Sequence, residues 1–225
     1  MNMPFYVSPE QVMKDRADYA RKGIARGRAL VALQYAGGIL LVAENTSNTL
    51  RKISEIYDRI AFAGVGKYNE FDQLRRLGVR TADVKGYSFS RDDVEARSLA
   101  NEYAQILGQI FTHEMKPMEV EILVAEVGST PADDQLFHIL YDGTLIDETG
   151  FCVLGGDAEA IVSRLEGQVS PELDLDTAVR LAASALSGPD RVLSAADSEV
   201  AVLERSAGRR CFRRLENGDV ERLLG

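Results

Sequence analysis

The sequence predicts an α+β fold in which two largely antiparallel sheets lie between layers of helix. The order of elements along the chain is helix, strands, two helices, strands, two helices, strands, which lacks the strict alternation of a doubly wound parallel sheet. Strand-like runs are joined by short turns, at Ala36, Gly37 and Gly38 and again at Asp142 and Gly143, as antiparallel hairpins are. With 225 residues, 45% of them hydrophobic and 27% charged, the chain can bury a sizeable core in one compact unit without disulfide or metal staples.

The first helix is predicted over residues 9–22. Ser8 is its N-cap, Pro9 takes the first helical position and Gln11 completes a capping box. Val12, Met13, Ala17, Ala20 and Ile24 recur near helical spacing, charged residues fill the other face, and Gly23 is placed to stop the helix. A hairpin follows, 30–35 and then the apolar run 39–43, with both strands expected to be central. Two β-branched and aromatic stretches, 52–57 and 59–65, read as further strands. A helix is expected over 68–77, ended by Gly78, and then the longest helix over 91–114, capped by Ser90 and Asp93 and followed by Pro117. A meander is expected at 120–127, 136–141 and 145–147. Val153 and Leu154 lead into Gly155 and Gly156, with helices at 158–165 and 175–186 and strands at 200–204 and 211–215 after them. Residues 220–225 are compatible with a short helix or a loose end.

Composition excludes several functions. A formal net charge of −9 argues against general nucleic-acid affinity. Arg209, Arg210, Arg213 and Arg214 cluster, but the intervening Cys211, Phe212 and Leu215 give them the spacing of an exposed strand face. No apolar run is long enough to span a bilayer, so no membrane partner is expected. Met1, Asn2, Met3 and Pro4 do not begin a secretory pattern, which points to the cytoplasm. Cys152 and Cys211 stand far apart outside any ligand-like cluster, so both are expected as buried thiols and no metal site is predicted. Gly64, Val65 and Gly66 lack the third glycine and the βαβ context of a dinucleotide fingerprint, so no cofactor is expected. His113 and His138 are the only histidines; His113 is placed to bind the carbonyls that end its helix.

One stretch carries a recognisable pattern: Lys52, Ile53, Ser54, Glu55, Ile56, Tyr57, Asp58, Arg59, Ile60 and then Gly64. It follows a hairpin with Gly37, Gly38, Leu40, Val42, Ala43 and Glu44, and the opening Ser8, Pro9, Glu10, Gln11 and Arg21, Lys22, Gly23 precede it. With Asp142, Gly143 and the pair Gly155, Gly156, these residues resemble proteasome α-type subunits of the 20S core particle, the actinobacterial branch most closely, over residues 5–215. The tyrosine, aspartate, arginine opening of archaeal and eukaryotic α-subunits is missing here.

The resemblance implies a four-layer αββα sandwich of the N-terminal nucleophile hydrolase type with an additional N-terminal helix. The whole of 1–225 would be one proteasome α-type domain, 1–8 a gate segment and 9–22 the extra helix. Catalytic members of the fold attack with a processed amino-terminal threonine whose own amine serves as base. Alignment of the hairpin sets Arg28 where that threonine would stand, Glu44 at its acidic partner and Lys52 at its lysine, so no catalytic residue is implied. Gly143 followed by Thr144 matches the bond usually cut in autoprocessing, but a cut there would remove more than half the domain, so the pair reads as a turn. By resemblance, Lys52 with Gly66 and Lys67 lines a pocket for an activator's C-terminal carboxylate, the tail of a hexameric AAA+ ATPase. Phe5, Tyr6, Val7, Ser8 and Pro9 belong to the gate over the entry pore. The implied partners are proteasome β subunits, neighbouring α subunits in a seven-membered ring, ATPase tails and unfolded protein substrates. Two rival readings are a catalytic N-terminal-nucleophile peptidase subunit and a small-molecule-binding α/β domain that forms no ring.

Overall fold

A computed structural model describes residues 8–47 and 49–225. In chain order the elements are α1 (Pro9–Ala25), β1 (Leu30–Tyr35), β2 (Gly38–Glu44), β3 (Ile53–Tyr57), β4 (Ile60–Gly66), α2 (Tyr68–Ser88), α3 (Ala96–His113), β5 (Val120–Glu126), β6 (Gln135–Ile139), β7 (Leu145–Glu148), β8 (Phe151–Leu154), α4 (Ala158–Leu165), α5 (Leu175–Ser187), β9 (Ser198–Glu204), β10 (Phe212–Arg214) and α6 (Asn217–Leu224). One sheet has the order β10-β9-β2-β1-β8 and the other is the meander β3-β4-β5-β6-β7. Every pairing in both is antiparallel. Alternation along β1 explains the layering: Val31, Leu33 and Tyr35 join the core beneath α4, α5 and α6, while Leu30 and Ala32 join the core between the sheets. A third core packs the outer face of the meander against α2 and α3. The result is the expected α+β, four-layer αββα sandwich, with the apolar hairpin at the centre of its sheet.

Several boundaries differ from expectation, for tertiary reasons. Ser8 caps α1 by accepting from the Gln11 amide at 3.2 Å, but the Gln11 side chain donates to Asp15 at 2.6 Å instead of closing a capping box. Gly23 does not stop the helix; it lies inside α1, where any side chain would strike that of Glu119. Gly78 likewise lies inside α2, which runs on to Ser88 and is the longest helix, because the Tyr103 hydroxyl fills the space a Cβ would need. The helix predicted over 91–114 is split: a 3-10 turn at Arg91–Asp93 is capped by Ser90, and α3 begins at Ala96. Val153 and Leu154 are the end of a full strand, β8, paired to β1. The chain closes with α6, whose Val220 and Leu223 are buried. Of the arginine cluster, Arg209, Arg210 and Arg213 are exposed as expected, whereas Arg214 is partly buried and ion-paired to the buried Glu199. Both cysteines are buried thiols, and among the described residues no helix is long and apolar enough to cross a membrane.

Candidate functional site

Arg28, Glu44 and Lys52 converge where α1 hands over to the first sheet. The Arg28 guanidinium ion-pairs with Glu44 at the end of β2, and Arg191 holds the same carboxylate through bonds of 2.8 and 3.1 Å. The Arg191 hydrogen bonds, then the charges of Arg191 and Arg28, hold the buried Glu44 carboxyl below its usual value against the opposing effect of burial. Lys52 Nζ donates to the Arg28 carbonyl at 2.6 Å. Burial pulls that amine down to about 8, against the pull of Glu199 and Glu44. An ammonium has three donors, so two remain for a ligand after the Arg28 carbonyl is served.

The frame around Lys52 is set by a residue that sequence reasoning missed. Glu199, at 2% exposure, accepts from the Lys52 and Ile53 amides at 2.9 and 3.2 Å, from Asn45 Nδ2 at 2.8 Å and from the Arg214 guanidinium. It thereby ties the start of β3 in one sheet to β9 in the other. Nothing local marks Glu199, Arg191 or Arg214, because their partners lie 15 to 161 positions away. The only trace is an acid opening an apolar run at Val200.

Gly66 and Lys67 sit on the other side of the Gly27–Arg28 turn. The Gly66 amide lies 3.4 Å from where a Gly27 Cβ would stand, and the Lys67 amide donates to the Glu119 carbonyl at 2.9 Å. Gly66 needs its positive φ of 96° here, since a Cβ would run into the Glu119 backbone. The Lys67 side chain reaches Glu70 at 3.6 Å and is half-exposed. Gly155 and Gly156 close the same corner: Cβ atoms on them would come within 3.0 Å of Val65 and 2.9 Å of Ala29. The turn Gly27–Arg28 therefore touches Lys52 on one flank and Gly66 on the other. Ser8 and Pro9 begin α1 as expected, whereas Phe5, Tyr6 and Val7 lie outside the described residues.

No free terminal amine exists at this corner, because Arg28 continues into Gly27 and α1. That helix lays Ala20 and Ile24 into the core between the sheets and is pinned by Arg16 to the Phe111 carbonyl at 2.6 Å and by Arg21 to the Tyr141 hydroxyl at 3.0 Å. Gly143 and Thr144 form a tight turn: Gly143 has φ of 86° and donates to the Leu140 carbonyl at 3.0 Å, and the Thr144 amide is held by Asp142 at 2.9 Å. His113 bonds the Gln109 carbonyl at 3.1 Å, the structural part expected of it. His138 is buried beside Glu148 and Cys152, a juxtaposition that sequence spacing did not suggest.

Comparison with known proteins places this arrangement in a family. Residues 24–203 match the family model described as proteasome subunit. The chain is 62% identical to the "Proteasome subunit alpha" of Acidimicrobium ferrooxidans, an alignment covering 100% of this chain and 97% of that protein. It is 56% identical to the protein of the same name from Kineococcus radiotolerans, covering 100% and 98%. For the Thermobifida fusca protein of that name the figures are 55%, 100% and 91%.

Proposed function

The chain belongs to the proteasome subunit family, and on that premise we propose that it is a non-catalytic α-ring subunit of a bacterial 20S core particle. Seven copies form a ring, the ring stacks on catalytic β subunits, and the entrance it surrounds admits unfolded protein. The reading rests above all on Arg28: by alignment with the family it falls at the position of the terminal nucleophile of catalytic members, and here it is a guanidinium paired to Glu44 within an unbroken chain. The α1 helix adds to it, since it packs Ala20 and Ile24 into the core between the sheets, where the resemblance implies that catalytic members keep a cleft open.

The Lys52 corner supplies the second part of the proposal. Its half-buried amine has donors to spare, and a C-terminal carboxylate entering between neighbouring subunits would offset the desolvation that depresses its basicity. We assign this corner, with Gly66 and Lys67, to the tails of a hexameric AAA+ ATPase, and the segment ahead of α1, through Ser8 and Pro9, to the gate. The particle works in the cytoplasm, where unfolded protein and ATP are both at hand.

The test is co-expression with a β subunit, followed by particle sizing, intact mass and a fluorogenic peptide assay. The expected outcome is a large particle that cleaves peptide only when both chains are present, with this chain keeping its residues ahead of Arg28. A chain cut to a new amino-terminal threonine, serine or cysteine would instead make it a catalytic subunit, and a stable monomer would remove the ring.

A further inference from the structure

The geometry points to a binding site for one divalent transition-metal ion, zinc being the best fit, formed by His138, Glu148 and Cys152 where the outer edges of the two sheets meet. His138 lies on β6, Glu148 on β7 and Cys152 on β8; β7 ends the meander and β8 ends the other sheet. A ring nitrogen, a carboxylate oxygen and Sγ from these three lie within 4.8 Å of one another. The Glu148 side chain is 32% exposed while His138 and Cys152 are buried, so the cluster is closed on the protein side and opens to solvent past the carboxylate.

The imidazole is what singles this cluster out from an ordinary group of buried polar residues. His138 is 8% exposed, and its Nε2 is buried with no hydrogen-bond partner among the described residues. Glu121 Oε2 stands 3.7 Å from Nε2 and Glu148 Oε1 stands 3.6 Å from Nδ1, both beyond hydrogen-bond length. A buried ring nitrogen left this way carries its full desolvation cost. Cys152 Sγ is the buried soft donor beside it. A dication bound through Nδ1 fixes the ring proton on Nε2, where Glu121 can accept it, takes Cys152 as its thiolate and is balanced by the Glu148 carboxylate. The thiol proton passes to the buffer when the metal binds. Glu121 is already fixed by the Gly155 amide at 3.1 Å, so with Nδ1 on the metal the Nε2 proton faces a carboxylate, the arrangement that usually orients a metal-bound histidine.

The mixed sulfur, nitrogen and oxygen donors select a borderline ion over magnesium or calcium, which take oxygen. Zinc lies about 2.3 Å from sulfur and about 2.0 Å from nitrogen, so donor atoms now up to 4.8 Å apart must close by about 1 Å. Glu148 ends β7 at the turn formed by Thr149 and Gly150, and it is the group free to move. Three protein donors leave a fourth position for water. The ion would clamp the edges of the two sheets together.

The test is titration of the metal-free full-length chain with cobalt(II) under reducing, oxygen-free conditions. One equivalent should produce a near-ultraviolet thiolate-to-cobalt band with the visible bands of a four-coordinate ion, and zinc should displace both. Cys152→Ser should abolish the thiolate band and Cys211→Ser should keep it. Glu148→Gln, at a part-exposed strand end where folding is not at stake, should raise the dissociation constant by about tenfold or more, because loss of even an outer partner costs about that much. Absence of a thiolate band in the unaltered chain, or an unchanged affinity in Glu148→Gln, would overturn the site.

Discussion

Lys52 occupies an unusual position for a lysine at the start of a strand, with its amide fixed by Glu199 and its amine resting on the Arg28 carbonyl. Its amine titrates at about 8 in place of its ordinary 10.5, because burial outweighs the nearby carboxylates. The unfolded chain therefore holds this proton more tightly than the folded one. The cost to stability is complete below about 8 and fades as pH rises from there toward 10.5. The proposed docking should run the other way, since a carboxylate tail would need the charged amine, which is lost as pH climbs past about 8. Lys52→Ala should leave ring assembly intact and weaken ATPase-stimulated proteolysis by about tenfold or more, as a hydrogen bond to a charged group contributes about 1.5 kcal/mol or above. A stimulation assay from pH 7 to 9 on both proteins checks this, and normal stimulation of the variant would exclude the pocket. The trio Arg28, Glu44 and Lys52 was singled out in the sequence by the family resemblance, through alignment on the hairpin. Glu199, Arg191 and Arg214 were not, since hydrogen bonds across some 150 positions leave no local pattern.

At the scale of elements, two glycines illustrate where local propensity loses. Glycine inside a helix costs about 1 kcal/mol relative to alanine, so Gly23 and Gly78 read naturally as helix ends. The fold keeps both inside, because α1 meets Glu119 and α2 meets Tyr103 too closely for any side chain. Tyr103 also donates to the Leu74 carbonyl at 3.0 Å, which locks its ring against α2. Gly78→Ala should therefore destabilise the protein by about 1–3 kcal/mol despite its better helix propensity, as overpacking a filled site does. Adding Tyr103→Phe should recover part of the loss. Urea unfolding of the single and double variants measures it, and additive effects would show that the two residues do not compete for this space.

The whole molecule is a sandwich whose central hairpin is buried on both faces, and that is why residues 30–43 read as almost uninterrupted apolar sequence. On the proposed reading an arginine takes the nucleophile's place, and α1 packs Ala20 and Ile24 into the core between the sheets. If the segment ahead of α1 is the gate, deleting residues 1–7 should raise peptide hydrolysis by the assembled particle several-fold without changing its size. Equal rates in a peptide assay would remove the gating proposal. By itself the sequence determined most of the elements, their order, the capping of α1 by Ser8 and the turns at Gly37 and Gly143. Each of these depends on neighbours within a few positions, or on a residue's own chemistry. Only the tertiary structure decided that β9 lies beside β2, that Glu199 holds β3, that Gly23 and Gly78 stay within helices, and that His138 meets Cys152. Those outcomes turn on which distant surfaces must share space once both faces of each sheet are covered, and no stretch of chain carries that information alone.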